Sequence, residues 1–414
     1  MIRQYLTILG VLALVPVATG QENTWDKMES FPTKRERMAS FSIADKGYVA
    51  CGKDDTLYND LWEYDPLNDA WTQMADMPGV ARRNPIAFSL DGKGYVGTGH
   101  NAIISSLGVP LKDFYEYDPV SNGWAQKQDY PGAGGNGVYF ATGFATSSRG
   151  YICAGKVAPD NYAADLWEYD PATDNWTQQS GFPGGVRYNL MSFTINDIAY
   201  VGFGIDEDTF RKDLWSFNPA TSAWQQMTEC PGAPRGAGGT FTLNGRGFIC
   251  CGADGGFKED LWEYDPLTDR WKIRAYFPVD GRRYGFSFAI NNKGYFGAGK
   301  GSFGIKRSHY EYEPLSVFGM KLEDEASLSL QENEVLEAKI FPNPASNVVH
   351  FEWTEGVSID HAVVTNSLGA QVGVYNVQGN KLDIHRADEE SGNYFLMVFD
   401  KDNNLCGTHK LIWK

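Results

Sequence analysis

The chain has 414 residues, 42% of them hydrophobic, with 12 Trp, 22 Tyr, 24 Phe, 46 Gly and a formal charge of -16. That length and aromatic content exclude a small single-core domain and a disordered chain. The acidic balance excludes the basic footprint that non-specific nucleic-acid binding needs. At the N-terminus, one Arg, the apolar run ILGVLALVPVA and the small residues Ala18, Thr19 and Gly20 read as a secretory signal peptide over residues 1–20. A membrane anchor needs about 20 apolar residues. This run is shorter and is interrupted by Pro16, and no later segment reaches that length, so no transmembrane segment is expected.

From Gly47 onward two motifs travel together. The first is a short apolar run ending in glycine: GYVACGK at Gly47, GYVGTGH at Gly94, GYICAGK at Gly150, AYVGFGI at Ala199, GFICCGA at Gly247 and GYFGAGK at Gly294. The last resembles a phosphate loop, but such a loop needs a helix N-terminus after it. Here another strand pattern follows, and the run recurs regularly, so it reads as architecture. The second motif, DLWEYDPLNDAW at Asp60, has partners at Asp113, Asp165, Asp213 and Asp260. Its closing residues Trp71, Trp124, Trp176, Trp224 and Trp271 are spaced by 53, 52, 48 and 47 residues. A period near 50 with several short strands per unit is the signature of a β-propeller. Within LWEYD, Trp62 and Tyr64 share one strand face. Asp65 and Pro66 then set a tight turn, and Trp71 returns onto the blade.

On these residues the chain resembles the kelch repeat family over residues 24 to about 316. Most units keep only the second of the two adjacent glycines usual in kelch repeats. The sixth unit, FSFAINNKGYFGAGK to HYEYEPLSVF, lacks a closing Trp, whereas NTWDKMESFP at the start has a Trp without preceding strands. Trp25 to Trp71 is 46 residues, one period. The N-terminal strand is therefore expected to complete the last blade, giving an all-β, six-bladed propeller over 21–316 with no open sheet edge.

Residues 317–338 are acidic and read as a linker. Residues 339–414 hold short alternating strands separated by Gly, Asn and Asp turns, expected to form a small immunoglobulin-like β-sandwich. This tail resembles the C-terminal sorting domain of type IX secretion, in Pro342-Asn343-Pro344-Ala345, Asn366-Ser367-Leu368-Gly369, Gly392-Asn393-Tyr394-Phe395 and the final Lys414. The resemblance implies passage through the periplasm of a bacterium, outer-membrane export by the type IX machinery, removal of the tail, and release or surface attachment.

The six cysteines are Cys51, Cys153, Cys230, Cys250, Cys251 and Cys406. Four lie in the apolar runs and read as buried free thiols. No metal site or cofactor is expected. GAGGNG at Gly132 has no helix after it, the acidic turns at Asp206 and Asp400 lack the calcium-loop glycine, and the propeller's His100 and His309 share no motif.

The candidate site lies on the face carrying the d–a and b–c loops, since variable loops on a rigid frame carry binding. The long loop TGHNAIISSLGVPLKD of the second unit opens there. The innermost strands carry Phe41, Phe88, Phe144, Phe193, Phe241 and Phe288. Six residues before five of them stand Arg35, Arg82, Arg187, Arg235 and Arg282, with Val138 in the third unit. Such a ring could bind a carboxylate or sulfate. The same five arginines could instead pair between blades with Asp60, Asp113, Asp165, Asp213 and Asp260, leaving Arg83 and Arg283 as the freer cations. The expected role is an exported, non-catalytic module binding a glycan or a protein. Two enzyme alternatives come from the resemblance. Copper oxidases of the galactose-oxidase kind need two His and two Tyr, which the sequence does not bring together. Sialic-acid epimerases use arginine and a carboxylate on an acidic sugar, and the arginine ring keeps this reading open.

Overall fold

The computed structural model describes residues 23–102, 108–158, 161–314, 338–341, 348–353, 359–366, 371–377, 379–385, 392–401 and 405–413. The chain divides into two compact units, Met1–Val317 and Phe318–Lys414. The signal-peptide segment, nearly all of the acidic linker, Pro342–Ala345, Ser367–Gly369 and Lys414 lie outside the described residues.

The first unit holds six four-stranded antiparallel sheets. Blade 1 is typical: strand a Ala39–Ile43, b Lys46–Ala50, c Leu61–Asp65 and d Ala70–Met74. Strand a alternates. Its Phe packs between blades, while small residues such as Ser40, Ser42, Ser192, Thr240 and Ser287 line an axial cavity of about 200 Å³. The a strands neighbour one another in a closed cycle from blade 1 to blade 6 and back. Close approach explains the first glycine of each b strand. A Cβ on Gly94, Gly150, Gly247, Gly294 or Gly47 would overlap the ring of Phe41, Phe88, Phe193, Phe241 or Phe288 from the preceding blade. Blade 4 alone substitutes Ala199, which packs with Phe144.

The last blade combines Phe286–Ile290, Lys293–Gly297 and His309–Glu313 with the N-terminal strand Thr24–Met28, Trp25 lying opposite Tyr312. The closing tryptophans pack on their own blades and also fasten neighbours. Trp71 donates its indole N–H to Glu29 O (3.2 Å), Trp124 to Ala75 O (2.8 Å) and Trp271 to Thr228 O (2.8 Å), each in the preceding blade. The N–H of that same residue is taken by Asp69, Asn122 or Asp269 from the c–d turn. Asn23 and Trp25 repeat the latch on Ala275, so the N-terminal segment supplies both a strand and a fastener. Deleting residues 21–30 should lower the melting temperature sharply, and an unchanged temperature in a calorimetric scan would refute this closure.

His309 stands in strand c where blades 1, 3, 4 and 5 place Leu61, Leu166, Leu214 and Leu261. It is fully buried among Tyr64, Trp71, Phe286 and Tyr295, and burial pushes its pKa down to about 3. The folded state therefore keeps the ring neutral while the unfolded chain takes up a proton near pH 6.5. Stability from this site is complete above pH 6.5 and drains away as the pH falls toward 3. His309→Leu should gain on the wild type progressively below pH 6.5 in thermal scans, and a gap independent of pH would contradict this.

Five cysteines, Cys51, Cys153, Cys230, Cys250 and Cys251, are buried free thiols. Burial raises Cys51 to about 12 and Cys230 to about 11, keeping both protonated. The second unit pairs a three-stranded sheet (Ala338–Phe341, Val348–Trp353, Lys381–His385) with a four-stranded one (His361–Asn366, Gln371–Asn376, Gly392–Phe399, Leu405–Trp413). Val349, Phe351 and Ile384 of the first share a core with Ala362, Leu396 and Leu411 of the second. Two sheets thus bury one common face, a β-sandwich.

Candidate functional site

The arginine ring is a set of clamps. Arg35 is fully buried, and its Nη1 and Nη2 grip both Asp60 oxygens (2.5 and 3.0 Å) while Nη1 also reaches Cys51 O (3.1 Å). Arg82 holds Asp113 at 2.6 Å on both oxygens, Arg187 holds Asp213 at 2.5 Å, and Arg235 holds Asp260 through both oxygens. Blade 6 has Ser308 in place of the aspartate. Its buried Arg282 donates to Ser308 Oγ (3.0 Å) and to Ala298 O (3.2 Å). The main chain of each arginine belongs to the neighbour. Arg35 N donates to Lys306 O and Arg82 N to Tyr58 O, while Gly299 N donates to Arg35 O and Gly52 N to Arg82 O. The glycine ending GYFGAGK thus serves the next blade's arginine with φ +81, a conformation that glycine adopts readily.

These four paired arginines and Arg282 are therefore not an open anion ring. Burying a guanidinium is tolerable only with its hydrogen bonds met, and aspartate and carbonyl meet them within the blade. Burial pushes the Asp260 carboxyl up, but Arg235 outweighs it and holds the group below its usual value. Arg83 is also not free. It is 3% exposed and donates Nε to Ala102 O at 2.6 Å. Burial, with help from Arg37, lowers its pKa to about 10, so it stays charged at neutral pH. Arg283 is half-buried against Phe257 and Tyr284. Removing one member of a clamp leaves the other without its charge partner. Arg235→Met should destabilise by about 3 kcal/mol, and adding Asp260→Asn should recover part of that. Full additivity in denaturant titrations would rule out a coupled pair.

Two residues beyond each clamp position lies the set that sequence reading missed: Arg37, Asn84, Phe140, Asn189, Ala237 and Tyr284, all at positive φ. Each stands four residues before the strand-a Phe, a constant offset that could have revealed them. Backbone bonds link them around the mouth: Asn84 N to Arg37 O, Arg37 N to Tyr284 O, Tyr284 N to Ala237 O, Ala237 N to Asn189 O and Asn189 N to Phe140 O. Their side chains meet over the axis. Phe140 and Tyr284, from opposite blades, lie 5.8 Å apart. The Arg37 guanidinium sits 4.0 Å from the Tyr284 ring and 4.9 Å from Phe140, and donates to Asn84 Oδ1 at 3.2 Å. Asn189 donates to the Tyr284 hydroxyl at 3.2 Å. The mouth thus has a floor of arginine, amides and rings.

The next residues outward pair in short bridges, Glu36 with Lys53, Arg83 with His100, Tyr139 with Lys156, Tyr188 with Ile205 and Arg283 with Lys300. Lys156 Nζ lies 4.0 Å from the Tyr188 ring, which stacks on Tyr162 at 5.3 Å. Among the described residues of the floor and bridges, Arg37, Lys53, Arg83, Lys156, Arg283 and Lys300 face one carboxylate, Glu36. Glu36 is 3% exposed and its Oε1 lies 3.4 Å from Lys53 and 3.6 Å from Arg37. Of the long blade 2 loop, residues 103–107 lie outside the described residues. Asp206, in the acidic turn without a calcium-loop glycine, is held by Arg211 at 2.5 Å.

Comparison with known proteins agrees with both units. Residues 339–414 match the family model described as a secretion system C-terminal sorting domain. Kelch-like protein 25 of Xenopus tropicalis is 25% identical over 177 residues, 41% of this chain and 29% of that protein. An N-acetylneuraminate epimerase of Haemophilus influenzae is 26% identical over 194 residues, 38% of this chain and 50% of that protein. The chain thus spans under a third of the one relative and half of the other. The solved structure of YjhT superposes with a TM-score of 0.59 at 16% identity, covering 68% of this chain and 95% of that one. The chain folds as a β-propeller similar to those of kelch-fold proteins and carries a type IX sorting tail, which directs it to the cell surface or the medium.

Proposed function

We propose that the propeller is an exported binding module that takes a carboxylate-bearing glycan at the channel mouth. The observation carrying this reading is Arg37, held over the axis between Tyr284 and Phe140 with further cations around it. A planar guanidinium braced by rings loses little freedom when it forms a two-pronged bond to a carboxylate. The faces of Tyr284, Tyr188 and Tyr162 suit the apolar side of a sugar ring. The similarity to N-acetylneuraminate epimerases, proteins named for an acidic sugar, supports the same ligand class. Calorimetric titration of the full chain with N-acetylneuraminate and with neutral hexoses should show binding of the acidic sugar alone. Arg37→Ala should weaken it by at least tenfold, the scale of a charged hydrogen bond. Binding indifferent to Arg37, or equal for neutral sugars, would overturn the reading.

One observation favours a catalytic variant of this function. Glu36 keeps Oε2 buried without a hydrogen-bond partner beside Arg37 and Lys53, the arrangement of a carboxylate able to move a proton on a bound acidic sugar. Turnover of the bound sugar, lost in Glu36→Gln with affinity kept, would make the module an enzyme. Binding without turnover leaves it a receptor.

A further inference from the structure

Blade 3 departs from the clamp pattern. In blades 1, 2, 4 and 5 the guanidinium lies between the strand-c aspartate and the carbonyl of Cys51, Thr98, Phe203 or Cys251. In blades 1, 4 and 6 it also rests over Phe31, Phe182 or Phe277, at 5.2, 5.1 and 4.8 Å. Blade 3 retains these walls. Asp165 holds the aspartate position within the longer strand c of this blade, Asn161–Asp170, Ala154 holds the matching place in strand b, and Tyr130 stands where Phe31 and Phe182 do. Val138 occupies the arginine position with the same main-chain bonds, its N–H to Leu111 O (3.1 Å) and its carbonyl from Gly99 N (2.8 Å). The backbone has stayed in register and the side chain stops short.

Two polar groups are left over as a result. Asp165 Oδ2 takes the Trp167 indole N–H at 2.6 Å, as Asp60 and Asp260 do with Trp62 and Trp262. Asp165 Oδ1 is buried without a hydrogen-bond partner. So is the hydroxyl of Tyr130, a residue only 1% exposed. Unsatisfied buried polar groups are costly, and here burial raises the Asp165 carboxyl above its usual range, the opposite of the Asp260 outcome. The adjoining d–a loop is also different. Seven residues separate Tyr130 from Val138 where four separate Met77 from Arg82, and Gly134, Gly135 and Asn136 are exposed.

We propose that blade 3 is a docking slot for a guanidinium group from outside the propeller, held by Asp165, the Ala154 carbonyl and the ring and hydroxyl of Tyr130. The sister blades define the occupant, because the same scaffold holds a guanidinium in each of them. The group can arrive as the arginine side chain of a peptide or as a free guanidinium compound. This site is separate from the channel mouth and does not depend on the glycan reading.

The test is thermal unfolding of the full chain with low-millimolar methylguanidinium, with an arginine peptide and with its lysine counterpart, at matched ionic strength. The wild type should show a saturable rise in melting temperature with methylguanidinium. A larger rise with the arginine peptide identifies a partner's side chain as the source, and a rise with methylguanidinium alone identifies a free compound. Asp165→Asn should abolish the rise. Val138→Arg should abolish it while starting from a higher melting temperature, and should this variant fail to fold, Asp165→Asn still decides. No rise, an undiminished rise in Asp165→Asn, or an equal rise with potassium or the lysine peptide overturns the proposal.

Discussion

One arginine in five of the six blades, its side chain bonded within its own blade and its main chain bonded to the one before, is the constraint on which the rest of the propeller depends. The charge is worth burying where the donors have fixed acceptors, most fully at Arg82: two carboxylate oxygens, a strand-end carbonyl and a loop carbonyl. A lysine could not meet those acceptors at once, since its ammonium is a point donor and not a fork. With the main chain at the clamp position bonded to the neighbouring blade, in blade 3 through Val138 as in the others through arginine, the residue two positions on stands at the mouth with positive φ. The floor of the mouth is thus a by-product of blade stitching.

This coupling explains the apparent contradiction of a cationic mouth on a protein of charge -16. The acidic residues named above serve mostly as local partners: clamp aspartates, c–d turn aspartates that cap backbone, and strand-c glutamates that accept tyrosine hydroxyls, such as Glu63 from Tyr48 at 2.6 Å. Within about one Debye length, roughly 8–10 Å, nearby charges outweigh distant ones. An anion at the mouth meets Arg37 and its neighbours before the net charge. The long-range field disfavours its approach, so added salt should cost such a ligand less than it would at an acceptor on a basic protein.

Much of the fold was legible because each element is written six times. The b-strand glycines, the turn aspartates and the closing tryptophans recur at one register, and the orphan Trp25 revealed the closure. The site was legible only in position. Whether Arg35 is free or paired depends on the distance to Asp60, which no spacing along the chain supplies. Arg83 looked available because it stands outside the repeat, but it is buried and spends its Nε on the Ala102 carbonyl. The floor residues escaped notice because a repeat directs attention to what is constant, and theirs is a fixed place with varied chemistry. Val138 was visible as an exception, but Asp165 read as one more arginine partner, and only the geometry of the sister blades shows that it lacks one.

The N-terminal strand has a consequence for the order of events during synthesis and export. The bond between Asn23 and Tyr312 joins residues 289 apart, near the limit of what this unit can span. Blade 6 cannot be completed until its last strand exists, and the first strand to be made waits longest for its partners. Closure of such a long loop is slow and comes after local hairpins have formed. The ring therefore stays open while the chain is being made, its edge strand unpaired and prone to mispairing. The sealed, rigid form can arise only once strand His309–Glu313 is present, so a partly delivered chain cannot close its ring.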